Sequence, residues 1–473
     1  MEPYNENAVK AFAGVVRDAY REAGREPDAL YPVWPARTVY DYCGGMSWSA
    51  SCAKHLRECR EALGLPTPEP VPPPAPARTG AIRLSGCVMV DDQGSECWLG
   101  SSFFSLAWMF EHELVRASQN LRWMVDAGVQ FIRALGEVGG STWADRVIDP
   151  RRADYVELIR ASTRFAMNHG LRVEWTQFGG GCLSKEHEFS NACDQMIEAL
   201  RPVRDGVQFY EVQNEGQGPD VGMARQLAGR VRAHLGIPVA ITGTPEAGLP
   251  AIYQGSQATC YTLHVDRTSG EEGWRWTRQF KHELSHLPNV GINNEPPGIQ
   301  SSVLMCDDPV ILASAAVTTW ICNGAAFVLH HGAGIRAGGA CDLARGRKAN
   351  AWEQPAMEPT LALIAAVKRR LPADLPDWHR VTHGGAGHPL TFSTPVGDDI
   401  YVPGGVGCNR AYASVAGDGR WLCLVAGAKG RVTFAAPHAK LWSLETGKEE
   451  TVPPGTYTLS QAEWGRSVLV TSI

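Results

Sequence analysis

Between residues 81 and 374 the hydrophobic period of the chain switches back and forth. A short run rich in β-branched and aromatic residues is followed by a stretch with apolar residues every three to four positions, and the pair recurs. The first pattern suits a buried strand and the second the inner face of a helix. The runs that read as strands are Cys97–Ser105, Val129–Leu135, Arg172–Phe178, Val207–Gln213, Val239–Gly243, Thr259–Val265, Val290–Asn294 and Ala325–His330. Helical segments fall between and after them at Leu114–Ala127, Tyr155–His169, Ala192–Leu200, Met223–Leu235, Gly273–His286, Pro309–Cys322 and Glu358–Leu371. The helix after the fifth strand, beyond Gly248-Leu249-Pro250, is the least periodic. Eight strand–helix pairs in ~295 residues predict an α/β fold, a closed (β/α)8 barrel.

The flanks differ in kind. Residues 67–78 read Thr-Pro-Glu-Pro-Val-Pro-Pro-Pro-Ala-Pro-Ala-Arg, a polyproline-like spacer, so a linker is expected over 67–80. Before it, residues 1–66 show helical patterns at Val9–Ala23 and Ala50–Leu65. A module that short buries little core alone and is expected to dock on another protein or to oligomerise. After about Leu375 the helical period disappears. Apolar runs such as Trp421-Leu422-Cys423-Leu424-Val425 and Ser467-Val468-Leu469-Val470, separated by Gly419, Gly447 and Pro453-Pro454-Gly455, predict an antiparallel β-sandwich over 375–473.

Charge and motifs narrow the chemistry. Lys and Arg total 44 against 50 Asp and Glu, a net charge of −6, which argues against a nucleic-acid partner. No run approaches the ~18 apolar residues that span a bilayer, so no membrane partner is expected. The start, Met1-Glu2-Pro3-Tyr4-Asn5-Glu6-Asn7, shows no basic segment followed by an apolar one, so synthesis in the cytosol is expected, with release or virion association left open. The 13 cysteines are irregularly spaced without a C-x-x-C, which predicts reduced thiols and neither a zinc ribbon nor a disulfide framework. No G-x-S-x-G elbow or phosphate-binding G-x-x-x-x-G-K-[ST] occurs, and no cofactor is expected. Tryptophan, at 15, outnumbers both Phe (13) and Tyr (12), which suits either core packing or stacking on sugar rings.

In such a barrel, chemistry collects at the C-terminal ends of the strands. Strand four ends Tyr210-Glu211-Val212-Gln213-Asn214-Glu215-Gly216 and strand seven ends Gly291-Ile292-Asn293-Asn294-Glu295-Pro296. Each delivers a glutamate to the mouth. Two carboxylates facing across a cleft are what acetal cleavage requires: one donates a proton to the leaving oxygen, and the other attacks the anomeric carbon if the pair lies ~5–5.5 Å apart.

An Asn-Glu at the end of strand four with a second Glu at the end of strand seven resembles clan A of the retaining glycoside hydrolases. The resemblance covers roughly residues 81–374 as a pattern of positions. It implies that Glu215 is the acid/base, that Asn214 holds the substrate 2-hydroxyl and that Glu295 is the nucleophile. It also implies a strand-two arginine near the nucleophile, matched by Arg133, and a strand-six contact to it, matched by His264 or Tyr261. The segment Leu84–Trp108 is similar to the entry into the first barrel strand of these enzymes. Two positions depart from the pattern: Gly216 stands where many members have Pro, and His330-His331 stand on strand eight where Trp is common.

Other residues have two readings. Arg133 needs a carboxylate partner if buried, and Glu137 is an alternative to the site. Glu137 and Glu174 suit the rim, as sugar contacts or salt-bridge partners. Trp143, Trp175, Trp274 and Trp352 fall in loops or near element ends and suit sugar stacking, whereas Trp123 and Trp320 lie within helices and suit packing. Trp175 and His331 join Asn214, Arg133, His264 and Tyr261 as expected substrate contacts. His282-Glu283-Leu284-Ser285-His286 has zinc-ligand spacing, but it falls late in an outer helix and reads as a solvated face. A metal held by His330, His331 and Asp266 is a minority reading, because no His-x-His occurs on strand one. The expected partner is a carbohydrate substrate, with no metal. Alternatives are a non-catalytic glycan-binding or virion-type adhesion protein and a metal-dependent hydrolase.

Overall fold

The computed structural model describes residues 78–140, 143–216, 218–242, 255–264, 290–296, 298–299, 306–336, 350–354, 356–381, 386–393, 396–397, 409–426 and 431–472, with scattered positions between 13 and 63. Two compact units are present, Met1–Pro76 with Glu113–Gln119 and Ala77–His112 with Asn120–Ile473. In the first, Val16, Ala19, Tyr20 and Ala23 recur at helical spacing and pack with Leu56, Cys59 and Leu63.

The second unit holds the barrel. Its strands are β1 (Trp98–Ser102), β2 (Phe131–Glu137), β3 (Arg172–Phe178), β4 (Val207–Gln213), β5 (Val239–Ile241), β6 (Cys260–His264), β7 (Val290–Glu295) and β8 (Ala326–Leu329). They run parallel and close in chain order, with β8 pairing β1. Every residue of β2, β3 and β4 is buried, as strands covered by helices outside and filled by side chains inside must be. The described helices are α1 (Leu106–His112), α2 (Leu114–Asp126), α3 (Tyr155–Asn168), α4 (Phe189–Leu200), α5 (Val221–Leu235), α6 (Pro309–Ile321) and α7 (Met357–Lys368). β3 and β4 coincide with the sequence expectation, while α4 begins three residues before it. The expected helix Gly273–His286 with its zinc-spaced histidines lies outside the described residues, as do Asp266, Trp274 and residues 67–77.

Two layers fill the barrel. At the N-terminal end, Trp98, Phe131, Phe209, Cys260, Ile292 and Ala326 form an apolar layer with Ile82 and Met89. Those last two come from the segment around an antiparallel hairpin, Arg83–Ser85 with Val88–Asp91, that plugs this end. The Trp98 indole N–H donates to the Met89 carbonyl at 3.0 Å. Above this layer the inward positions turn polar, and the candidate site begins there.

After α7 the chain forms two β-sheets around one core. One runs His379–Val381, Asn409–Val415, Trp421–Ala426, Ser467–Ser472, Ala439–Ser443, Glu449–Val452 in spatial order, with Val396–Gly397 beside Asn409–Val415. The other joins Thr391–Phe392, Arg431–Ala436 and Gly455–Ser460. Cys423, Val425, Val432, Phe434, Leu459 and Val470 meet between them, as in a sandwich. Ser467 shares a 2.8 Å hydroxyl contact with Ser314 of α6. Arg466 pairs with Asp308, whose carboxylate also caps the first turn of α6. Among the described residues no helix is long and apolar enough to cross a membrane.

Candidate active site

β4 turns its odd-numbered residues inward, so Phe209 joins the apolar layer and Glu211 the polar one above it. The strand then stops abruptly. Asn214 still donates its backbone N–H to Phe178 at 2.9 Å, but Glu215 and Gly216 both adopt left-handed conformations, with φ of 48° and 72°. A left-handed glutamate costs on the order of 1 kcal/mol or more, whereas the glycine after it does not. This turn leaves the Glu215 carboxyl part-exposed at the mouth, with Oε1 3.1 Å from His264 Nδ1.

Glu295 arrives by a different device. In the β6–β7 ladder Asn293 pairs with Leu263 and Glu295 with His264, so Asn294 is the extra residue of a β-bulge. Strict alternation would send Asn293 and Glu295 to the same face. Instead the Asn293 amide donates outward to Thr319 of α6 at 3.2 Å, while Glu295 joins Asn294 inside. The bulge thus re-aims the glutamate into the barrel. One oxygen of Glu215, one of Glu295 and a ring nitrogen of His264 lie within 4.8 Å of one another.

Arg133 ties the site together. Fully buried on β2, it donates from Nη1 to Glu295 Oε1, from Nη2 to Glu211 Oε2 and Asn214 Oδ1, both at 2.8 Å, and from Nε to Thr176 at 3.2 Å. Nη2 also lies 3.5 Å from His264 Nε2. An arginine can only donate, so Nε2 faces it as acceptor and the proton of His264 sits on Nδ1, toward the two glutamates. Burial opposes the charge of Arg133, but Glu211, Glu295 and Glu174 hold its pKa above the ordinary value. Its anchoring of Asn214 Oδ1 also fixes that amide, turning the NH2 group to donate elsewhere.

Glu211, which no sequence motif marks, is the most heavily bonded carboxylate here. Besides Arg133 it accepts from Thr176 at 2.5 Å, from the hydroxyls of Thr242 and Thr262, and from the Asn294 amide at 3.2 Å. Burial alone would raise its carboxyl. The Arg133 charge and the hydroxyls of Thr176 and Thr242 outweigh burial and hold it below the usual range. The detectable signal was inward parity: Glu211 lies two residues from Phe209 on a strand too apolar to carry a charge without a partner.

Several expected contacts lie elsewhere. Trp175 is not a sugar platform: it sits between the inward Glu174 and Thr176, faces out of the barrel, is fully buried and donates its indole N–H to Thr163 of α3 at 3.0 Å. Tyr261 is buried on the face of β6 opposite Thr262 and His264. His331 is buried as well, 2.9 Å from Ser101 Oγ, and accepts from the Gly334 backbone N–H. Desolvation pushes its pKa down to about 3. Glu137 is neither a rim residue nor the partner of Arg133. Its carboxylate accepts from the Leu183 and Ser184 backbones and the Ser184 hydroxyl, and so folds the loop after β3. Glu174 is also buried, inside the barrel against Arg133. Trp143 is buried beneath the Arg146 guanidinium, and Trp352 pairs with Trp123.

By sequence, the chain matches no protein-family model and no curated protein. By structure, it is similar to a candidate glycoside hydrolase from Bacteroides vulgatus ATCC 8482, with a TM-score of 0.56 and 10% identity over 84% of this chain and 83% of that one. An α-amylase from Geobacillus thermoleovorans, complexed with acarbose, gives 0.47 and 10% over 75% and 90%. A GH30 endoxylanase from Clostridium papyrosolvens C71 gives 0.44 and 11% over 84% and 97%. At 10% identity, what this chain shares with the first of these structures is the fold.

Proposed function

We propose that the chain is a retaining glycoside hydrolase that cleaves O-glycosidic bonds of a polysaccharide or oligosaccharide. The observation that carries this reading is the meeting of Glu215 and Glu295 at the barrel mouth, one oxygen of each within 4.8 Å of the other, which favours double displacement over the wider spacing that an inverting pair needs. The pair is asymmetric in the required sense. Arg133 donates to Glu295 and complements the negative charge of a nucleophile, while Glu215 is part-exposed and can exchange a proton with solvent.

In the first step Glu215 gives its proton to the glycosidic oxygen as the bond from that oxygen to the anomeric carbon breaks. Glu295 Oε2, the oxygen not held by Arg133 Nη1, forms an ester with the same carbon. In the second step Glu215 takes a proton from water, whose oxygen attacks the anomeric carbon and releases Glu295. The oriented Asn214 NH2 group donates to the neighbouring hydroxyl of the sugar.

Glu215, His264 and Glu295 also have the donor types of a divalent-cation site, which keeps a metal-dependent hydrolase as the second reading. The Arg133 charge beside Glu295 disfavours it. A screen over polysaccharides and aryl glycosides tests both readings. Glu215→Gln and Glu295→Gln should each cost about 10²–10⁴-fold in turnover, azide should restore glycosyl transfer to Glu295→Ala, and EDTA should change nothing. Hydrolysis retained in either Gln variant overturns the proposal. Glycan binding without turnover in the native protein supports the adhesion alternative, and inactivation by EDTA supports the metal reading.

A further inference from the structure

Glu174 takes no part in the steps above, yet it is fully buried inside the barrel against Arg133. It pairs with Arg133 in the β2–β3 ladder. The groups that act on it are Arg133 on β2, Glu211 on β4, and Asn294 and Glu295 on β7, while Arg133 in turn meets Thr176 on β3 and His264 on β6, with Glu215 beyond His264 at the mouth. Arg133 Nε lies 3.0 Å from Glu174 Oε1, but its N–H is aligned on Thr176. The remaining guanidinium bonds go to Glu295, Glu211 and Asn214. Neither Glu174 oxygen accepts an aligned hydrogen bond among the described residues, and nor does Oδ1 of Asn294, whose amide lies against this carboxyl.

Three buried acceptor atoms therefore lie in this layer without an aligned donor among the described residues, and the Asn294 amide beside Glu174 is directed at Glu211. A single proton on Glu174 converts one acceptor into the missing donor. It also reduces the carboxylates facing the guanidinium from three to two. We propose that Glu174 is held as a neutral carboxylic acid and acts as a positioning residue, leaving the Arg133 guanidinium to Glu295 and Glu211. Its effect on Glu295 rests on the glycosidase reading, whereas its protonation does not. Burial pushes this carboxyl well above the carboxylate range, with Arg133 opposing the shift and the Glu211 charge adding to it.

The test is Glu174→Gln, of the same shape and permanently neutral, with Glu174→Met as a second neutral replacement should the first misfold. Infrared spectra at pH 7 should show a protonated-carboxyl carbonyl band that shifts in D2O and is lost in the variant. Thermal unfolding gives an independent readout. An acid with a raised folded-state pKa contributes stability that is full below its unfolded pKa and is lost as pH rises. The Tm of the variant should therefore gain on the wild type between pH 5 and pH 8. No change in the band, or a Tm that falls relative to wild type as pH rises, overturns the proton assignment. If hydrolysis is found, Glu174→Met should lower kcat/KM and displace its acidic limb, and Glu174→Gln should recover both toward wild type. Unaltered kcat/KM and limb in Glu174→Met, with the band and Tm as expected for Glu174→Gln, overturns the positioning role alone. Absence of hydrolysis in the wild type would sink the glycosidase reading and leave the spectroscopic test intact.

Discussion

Replacing Arg133 by Met tests the polar layer most directly, because it removes the cation and keeps an unbranched apolar stem. Removing one partner of a buried ion pair costs about 3–5 kcal/mol. Two carboxylates lose their partner here, which would argue for more. Glu211 nevertheless keeps the hydroxyls of Thr176, Thr242 and Thr262 and the Asn294 amide, and Glu295 can take up a proton. We therefore expect about 4 kcal/mol. At about 2 °C per kcal/mol for a unit of this size, Tm should fall by about 8 °C at pH 7. The sign of the pH dependence follows from Glu211. Its carboxyl is held low in the native protein, so it contributes stability above its unfolded pKa that is lost as pH falls through the folded value. Without Arg133 most of that contribution is gone, so the Tm gap between wild type and variant should narrow as pH falls below about 4.3. Calorimetric melts at pH 7 and pH 3 measure this. Arg133→Lys should recover only part of the loss, since an ammonium cannot reproduce the guanidinium fork to Glu295, Glu211, Asn214 and Thr176. An unchanged Tm in Arg133→Met, or a gap that widens on acidification, would refute the reasoning.

Three further outcomes can be measured. Trp175→Phe should cost about 1 kcal/mol through the indole bond to Thr163 and leave kcat/KM on glycans unaltered, and a loss of substrate affinity would restore the stacking role. His331 stays unprotonated in the native protein down to about pH 3, while the unfolded chain binds a proton below about pH 6.5. Its native contribution is therefore lost as pH falls through that window, and the Tm advantage of wild type over His331→Gln should shrink between pH 6.5 and pH 4. Gly216→Ala meets no heavy atom within 4 Å, so only the left-handed backbone resists it, at about 1–2 kcal/mol. If the turn relaxes, Glu215 moves, so hydrolysis should fall more than tenfold while Tm shifts by a few degrees and Gly216→Asn recovers part of the rate. Full activity in Gly216→Ala would separate the turn from the chemistry.

The barrel was legible because its signal repeats. Strands such as Arg172–Phe178 and Val207–Gln213 are bounded by polar turns and followed by helices whose buried residues, Leu158, Ile159, Ser162 and Ala166 in α3, keep a helical period. The Glu215–Glu295 pair was legible because strand order places the ends of β4 and β7 at one mouth. Trp175 misleads because its proximity to a strand end says less than parity does, and Glu174 and Thr176 on either side already claim the interior. Glu211 is hidden for the opposite reason. It lies inside a run of apolar residues, and its partners come from β2, β3, β6 and β7 and the end of β5, at separations that no local pattern reports.

The two glutamates reach the mouth through departures from regular geometry, and this is why their placement exceeded what periodicity could predict. A regular continuation of β4 would have carried Glu215 on along the strand, and regular alternation on β7 would have aimed Glu295 at α6, where Asn293 donates to Thr319. A left-handed residue and a bulge both cost backbone stability, and here each is offset by side-chain bonding beside it: His264 to Glu215, and Arg133 with Asn294 around Glu295 and Glu211. The strained backbone and the polar layer therefore depend on each other. The bulge brings both Asn294 and Glu295 inside, and the bonds that they make to Glu211 and Arg133 retain the bulge. Substitutions in either should lower stability and turnover together, whereas outward-facing changes such as Trp175→Phe should lower stability alone.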